Sequence, residues 1–292
     1  MPRKKKRERK RGGFVNVFVR ELRLKPVRIS GRGGLIVMTK SQADEITLED
    51  RLRERLEPDL PCVMHQEWRE LLFLHWAVDP AVIQARLPGS LRVDCFEGKA
   101  WLGVVPFFMR GVRPRFLPGV PGISNFLELN LRTYVVDEAG RPGVWFFSLD
   151  TSHRLPVWIA RKFFHLPYCH AVMRGTKAPG AIEYCSKRRT EDGLDGGQVY
   201  RWSRAGPLRV AKPGSLEFFL VERYRLFAHD AKRDCLYTGQ VHHAPYEFCA
   251  VDLQAYSKRL FSLNGFEEPS GAPDSAIASP GVPVRIHALS RV

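Results

Sequence analysis

The chain has 292 residues, of which 44% are hydrophobic, 11% aromatic and 26% charged. This composition is that of an ordinary globular protein and excludes a disordered or fibrous chain. The strongly apolar runs at 71–78 and 100–109 fall well short of the ~18–20 residues that a membrane-spanning helix needs. We therefore expect no membrane segment.

The net charge of +15 is concentrated at the amino-terminal end. Residues 1–37 hold 13 Lys and Arg against two acidic residues, a net charge of +11, which leaves only +4 for residues 38–292. Such a basic run is typical of a solvated disordered tail, with an arm that binds nucleic acid as the alternative. We predict a disordered tail over 1–37, and any contact with nucleic acid is expected through it. Met38 offers a second translation start, which would leave this tail untranslated.

The rest of the chain is predicted to form one β-rich domain over 61–263, preceded by a polar leader over 38–60. Strands are predicted at 71–78, 91–96, 100–109, 126–136, 144–150, 169–174, 182–187, 199–203 and 236–242. A helix is predicted over 157–164, and 216–222 fits either a short helix or a strand. Of the last 29 residues, 264–292, 15 are Pro, Gly, Ser or Ala, which predicts a flexible tail.

The clearest strand covers 126–136, because two kinds of side chain alternate strictly along it. One face carries Leu127, Leu129, Leu131, Thr133 and Val135, and the other carries Phe126, Glu128, Asn130, Arg132 and Tyr134. On the second face Glu128, Asn130 and Arg132 would stand in a row, roughly 6.5–7 Å apart. If this face points inward, the row suits a small carboxylate, because Arg presents a bidentate fork. If it points outward, the polar side chains are simply hydrated.

A second charged group lies where a predicted strand end meets the predicted helix, and consists of Asp150, Arg154, Arg161 and Lys162. A solvated basic face of an amphipathic helix explains it. Alternatively, burial and the neighbouring Arg161 would lower the pKa of Lys162 and make it a nucleophile for a Schiff base. Arg223 follows Glu222 in a third charged pair, for which a structural ion pair is the alternative to a binding role.

Several reaction classes lack their motifs in this sequence. It contains no His-Glu-x-x-His, Gly-x-Gly-x-x-Gly, Walker or Gly-x-Ser-x-Gly motif. Metalloproteases, Rossmann dehydrogenases, P-loop NTPases and α/β-hydrolases are therefore disfavoured. The six cysteines never approach Cys-x-x-Cys spacing, which argues against structural zinc and favours reduced thiols in the cytoplasm. We expect no metal and no cofactor.

A series of segments in fixed order resembles the YqjF-like family of uncharacterised bacterial proteins. They are His75-Trp76, Leu87-Pro88, the stretches 96–107, 128–135 and 143–150, Ala160-Arg161, Leu166-Pro167-Tyr168, Glu222-Arg223-Tyr224 and His243-x-Pro245. The resemblance covers residues 61–254, about two thirds of the chain. This family in turn resembles, more distantly, the acetoacetate decarboxylase-like superfamily.

The resemblance implies a β-rich α+β fold, with an antiparallel, closed or nearly closed sheet around an apolar cavity and few peripheral helices. One face of each strand in such a sheet looks inward, which favours the binding role of the 126–134 face. The superfamily's decarboxylases carry a Lys-Lys pair shortly before Tyr-Pro. Here Arg161-Lys162 precedes Leu166-Pro167-Tyr168, so Lys162 alone matches the catalytic amine.

The implied function is a cavity for a small organic acid or ketone. The protein would then be either an acetoacetate decarboxylase-like enzyme or a non-catalytic binding or sensing module. Lys162 is the catalytic candidate, and the binding candidates are Glu128, Asn130, Arg132, Tyr134, Asp150, Arg161 and Arg223.

Overall fold

The computed structural model describes residues 46–153 and 165–292. Its helices are α1 (Leu48–Arg53), α2 (Pro80–Gln84), α3 (Leu216–Val221) and α4 (Arg259–Ser262). Its strands are β1 (Cys62–Val78), β2 (Leu91–Val93), β3 (Ala100–Pro114), β4 (Phe126–Asp137), β5 (Pro142–Thr151), β6 (Tyr168–Ala178), β7 (Ala181–Thr190), β8 (Gly193–Leu194), β9 (Gln198–Val210), β10 (Arg225–Asp230), β11 (Cys235–His242), β12 (Glu247–Ala255), β13 (Ser275–His287) and β14 (Ser290–Arg291). Within these described ranges, no helix has the length and apolar character needed to cross a membrane.

The sheet closes into a ring, as the resemblance implied. Hydrogen-bonded neighbours follow one another from β4 through β5, β6, β7, β9, β12, β13, β1 and β3, and β3 pairs with β4 again. A second path runs from β5 through β10 and β11 to β13. Most pairings are antiparallel, while β5 pairs with β6 and β10 in parallel. The shared strands β13, β1, β3, β4 and β5 therefore form a wall between two lobes.

Both faces of this wall are buried, because each faces a separate hydrophobic core. We call the side that holds α3 the first lobe; Phe73, Phe107 and Tyr134 belong to its core. The other side, the second lobe, is packed with residues such as Leu129 and Trp202. Adjacent residues of β4 consequently belong to different cores, which explains the strict alternation of its sequence.

The prediction of a flexible tail over 264–292 is wrong, because β13 lies in the middle of the wall. It pairs with β1 along nearly its whole length and also with β11 and β12. Pro280, Gly281 and Pro283 suggested disorder, but the register with β1 continues through them, and Pro283 opposes Glu67. Gly281 has a φ of +117° and opposes Arg69, and a Cβ at this glycine would lie 2.0 Å from the carbonyl oxygen of Trp68. Only glycine fits there.

The described part of the predicted polar leader over 38–60, residues 46–60, is attached to the domain. Thr47 begins α1 with a capping box that involves Asp50. Three ion pairs then fix the segment, Arg51 with Asp94, Arg55 with Glu222 and Glu54 with Arg225. The domain therefore begins before residue 61, the boundary that the sequence suggested.

All nine predicted strands are present, and the segment over 216–222 is the helix α3. β1 is longer than predicted, since it begins at Cys62 rather than at residue 71. The sequence did not indicate β10 or β12. The helix predicted over 157–164 lies outside the described residues.

Candidate functional site

The polar face of β4 points into the first lobe. Three neighbours on β3 share this face through strand pairing, Phe107 with Glu128, Val105 with Asn130, and Gly103 with Arg132. Glu128 and Asn130 are 3% and 4% exposed, and Tyr134 is fully buried. Of the two orientations that the alternation left open, the structure has the inward one.

Arg132 is a half-buried cation among aromatic rings. Its guanidinium carbon lies 5.3 Å from the ring centroid of Phe73 and 5.7 Å from that of Tyr134. One terminal nitrogen, Nη2, donates to the carbonyl oxygen of Leu220 at 3.0 Å. Nε is buried and has no hydrogen-bond partner in the described part of the chain. The side chain is therefore held in place while part of its hydrogen-bonding capacity is left open.

His75 and Tyr134 lie beside Arg132 and are hydrogen-bonded to each other. The Tyr134 hydroxyl donates to Leu220 O at 2.7 Å, since a carbonyl can only accept, and it lies 2.6 Å from His75 Nε2. His75 Nε2 must then donate to the hydroxyl, which leaves Nδ1 as an acceptor. Burial, with the charge of Arg132, holds the pKa of His75 well below its ordinary value of 6.5, so the ring is neutral. Gly103 makes room for it, because a Cβ there would lie 2.7 Å from Nε2.

Glu128 is a buried acid at the other end of the row. Tyr168 donates its hydroxyl to Oε2 at 2.8 Å. Burial raises the pKa of Glu128 to about 7, and the charge of Asp150 acts in the same direction, while hydrogen bonding from Tyr168 and Asn130 opposes the shift. The carboxyl group thus gains and loses its proton near neutral pH.

Further along the first lobe, aromatic and imidazole rings pack in series. Tyr246 contacts Phe73 edge-on at 5.5 Å between centroids, and His243 contacts Tyr246 at 4.7 Å. His243 also stacks on Tyr224 at 4.6 Å. His243 Nε2 is buried without a hydrogen-bond partner among the described residues. The lobe is thus mainly apolar, with a few polar atoms at defined positions.

Arg223, a predicted binding residue, has a structural role in the geometry. It donates to Asp94 at 2.8 Å and to the carbonyl oxygen of Phe219 at 2.7 Å. The neighbouring Glu222 pairs instead with Arg55 and accepts from the backbone N–H of Tyr246 at 3.1 Å. The two residues are therefore not paired with each other, and both connect α1 and α3 to the sheet. Burial lowers the pKa of Arg223 to about 10.

Asp150, another predicted binding residue, lies on the opposite face of the wall. It pairs in register with Leu129, whose side chain belongs to the second lobe. Arg188 donates from Nε to both carboxylate oxygens, at 2.9 and 3.0 Å, and from Nη2 to Ser148 Oγ at 2.7 Å. The structure thus separates Asp150 from the row on β4.

Arg154, Arg161 and Lys162 lie outside the described residues. The structure therefore brings together Glu128, Asn130, Arg132 and Tyr134 of the predicted site, and the guanidinium carbon of Arg223 lies 4.7 Å from the ring centroid of Tyr134. It adds His75, Tyr168 and Gly103, which sequence analysis did not assign to it. The sequence did contain one sign that His75 belongs to the site. It follows Phe73 by two residues in an otherwise apolar strand, so the two side chains share a face.

Comparisons with known proteins agree with this architecture. Residues 65–283 match DUF2071, a family described as an uncharacterised conserved protein. The uncharacterised protein YqjF of Bacillus subtilis is 40% identical over 216 residues, which cover 74% of this chain and 87% of that protein.

Solved structures of other proteins share the fold. Acetoacetate decarboxylase from Legionella pneumophila superposes with a TM-score of 0.55 and 13% identity, over 82% of this chain and 90% of that one. The enduracididine biosynthesis enzyme MppR, solved in complex with pyruvate, gives a TM-score of 0.52 and 14% identity, over 79% of this chain and 90% of that one. At such identities the likeness shows the fold alone, and that fold is acetoacetate decarboxylase-like.

Proposed function

The chain belongs to the DUF2071 family of uncharacterised conserved proteins, and we propose that it binds a small organic acid or ketone in the first lobe. Arg132 is the proposed anion-binding group, with Glu128 and Asn130 beside it. His75 and Tyr134 would position Arg132 rather than contact the ligand. The ligand is a small metabolite, and we place the protein in the cytoplasm.

The unpaired charge of Arg132 is the main support for this proposal. Arg132 is half-buried, and in residues 46–153 and 165–292 it has no acidic partner. A buried charge is costly unless it is paired, and its free Nε is suited to a carboxylate oxygen. A bound acid would supply the missing negative charge.

Glu128 supports the same conclusion from the chemistry of proton transfer. A carboxyl group with a pKa of about 7 donates and accepts protons readily at neutral pH. Glu128 lies four residues from Arg132 on the same face of β4, with Asn130 between them, and we propose that it exchanges a proton with a bound molecule that extends past Asn130. The related fold of MppR, solved with pyruvate, supports a small oxygen-rich ligand.

Titration calorimetry with a panel of short carboxylic acids and ketones tests the proposal. We expect binding by the wild type and at least a tenfold loss in Arg132→Leu, because charge-assisted hydrogen bonds contribute about 1.5–3 kcal/mol. Arg110→Leu, at an exposed position on the neighbouring strand β3, is the matched control and should bind as the wild type does. Equal binding by Arg132→Leu would contradict the proposal.

A decarboxylase-like reaction is the second candidate, favoured by the fold neighbours and by the match of Lys162 to the catalytic amine. It requires a covalent imine between a lysine and a keto acid. Borohydride reduction in the presence of β-keto acids, followed by peptide mapping, would trap that imine on Lys162. Trapping at another lysine would refute the assignment to Lys162, and no trapping would leave the non-catalytic binding or sensing role.

A further inference from the structure

An unpaired acceptor in the site indicates which kind of small acid it takes. Asn130 lies between Glu128 and Arg132 on the inward face of β4. Its Oδ1 is buried and has no hydrogen-bond partner among the residues that the structure describes. The side chains paired with it on the neighbouring strands, Val105 and Leu149, are apolar and cannot donate. A buried acceptor in such a wall is costly unless something donates to it.

We infer that the ligand is a short hydroxy acid, whose carboxylate binds Arg132 and whose hydroxyl group donates to Asn130 Oδ1. This inference rests on the proposed function, because it uses the same contact with Arg132. Asn130 and Arg132 are nearest neighbours on one face of β4, with backbone positions roughly 6.5–7 Å apart. The carboxylate and hydroxyl of a 2-hydroxy or 3-hydroxy acid lie on adjacent or next-but-one carbons, so one molecule can hydrogen-bond to both side chains.

Related acids fit these groups less well. The Asn130 NH2 group donates to Glu128, so its oxygen is the atom left for the ligand. An oxo acid presents only acceptor atoms, and its carbonyl oxygen would face this oxygen without a proton between them. An unsubstituted acid leaves that oxygen unpaired. An amino acid offers donors, but its ammonium group would bring a second positive charge into the buried space beside Arg132. A hydroxyl group, in contrast, donates a hydrogen bond to Asn130 and carries no charge.

Calorimetric titration of the wild type with four three-carbon probes tests the inference. The probes are lactate, pyruvate, alanine and propionate, which differ only in the group next to the carboxylate. We expect lactate to bind roughly 10- to 100-fold more tightly than the other three. The pair 3-hydroxybutyrate and acetoacetate repeats the comparison with one more carbon. Equal or tighter binding of the oxo acids would overturn the inference.

Substitutions at Asn130 and Thr151 then show which of the two residues accepts the hydrogen bond from the ligand hydroxyl. Asn130→Leu should reduce the ratio of lactate to pyruvate affinity to about one, while carboxylate binding persists through Arg132. Asn130→Ala, a smaller change, serves if the leucine variant does not fold. Thr151 is the rival acceptor, since its buried Oγ1 also lacks a partner in the described ranges and it pairs with Glu128 across the strands. Loss of the preference in Thr151→Val but not in the Asn130 variants would overturn the assignment.

The outcomes separate this inference from the proposed function. If no acid binds, the proposed function fails, and the inference fails with it. If all the acids bind with similar affinity and Arg132→Leu abolishes that binding, the proposed function stands and only the hydroxyl contact is refuted.

Discussion

Glu128 and Arg132 lie four residues apart on the same face of β4, yet burial affects them differently. The guanidinium group of Arg132 keeps its charge in any folded protein, so it needs a negative partner. Glu128 can lose its charge by taking up a proton, and its raised pKa shows that burial favours this neutral form. The site thus combines a permanent cation with an acid whose charge depends on pH.

The first prediction follows from Glu128. Its pKa of about 7 in the folded protein lies above the ordinary 4.5, so folding is favoured by its proton. This contribution is fully present below pH 4.5 and is lost as pH rises through 7. Relative to Glu128→Gln, the wild type should lose about 3 kcal/mol of unfolding free energy between these values.

Urea unfolding at pH 5, 6, 7 and 8 measures this difference. The unfolding free energy of Glu128→Gln is subtracted from that of the wild type at each pH. This removes contributions that the two proteins share, such as that of His75, whose lowered pKa acts in the opposite direction. Glu247→Gln, at an exposed position on β12, is the control and should follow the wild type. A constant difference across this pH range would contradict the burial argument.

A second prediction concerns Gly103, which lies beside Arg132 and under the ring of His75. A methyl group there would lie 2.7 Å from His75 Nε2 and must displace the ring from Tyr134. Gly103→Ala should cost roughly 1–3 kcal/mol of stability by overpacking and should also weaken acid binding, because Arg132 loses its fixed neighbours. Thermal unfolding of Gly89→Ala, where a methyl group meets nothing within 4 Å, is the control. Wild-type stability of Gly103→Ala would show that the ring moves freely.

At the scale of elements, β4 was predicted from sequence and β13 was not, for a physical reason. The alternation in β4 comes from two different cores, and such a period-two pattern is visible in a single sequence. β13 contains Pro280, Gly281 and Pro283, residues that usually break strands. Their pairing with β1 depends on long-range contacts, which local composition does not reveal.

The third prediction tests the role of β13 directly. A chain that stops after Leu263 loses a strand of the wall that pairs with three others. We expect no cooperative thermal unfolding from this shortened chain. A chain that stops after Leu289 loses only β14 and the last residues, which are exposed, and should keep its transition. Cooperative unfolding of the shorter chain at the wild-type temperature would contradict the assigned place of β13.

The fourth prediction concerns α1, whose ion pairs connect the amino-terminal segment to the first lobe. Arg51 makes two hydrogen bonds of 2.8 Å to the buried carboxylate of Asp94. Arg51→Met should cost roughly 2 kcal/mol, because Arg223 alone then balances this charge. Arg53→Met, on the same helix at a side chain that is 63% exposed, should cost little. Chemical unfolding compares the two, and equal losses would show that the ion pair with Asp94 adds nothing.

At the scale of the whole molecule, ring closure decides which polar residues can form a site. Because the wall separates two cores, Glu128 and Asp150 lie on opposite sides of it although their strands are neighbours. The row on β4 and the fold class were predictable, from alternation and from the family resemblance. The separation of Asp150, and the structural role of Arg223, depend on strand pairing and on ion pairs with Arg188 and Asp94. These partners lie 38 and 129 residues away in sequence, where no local pattern indicates them.

In the proposed function, Arg132 holds the carboxylate of a small acid inside the first lobe. A crystal structure of the protein soaked with the tightest-binding acid of the panel tests it most directly. We expect a carboxylate oxygen about 2.7–2.9 Å from Arg132 Nε, between Glu128 and the ring of Phe73. A ligand bound outside the first lobe, with Arg132 Nε still unoccupied, would contradict it.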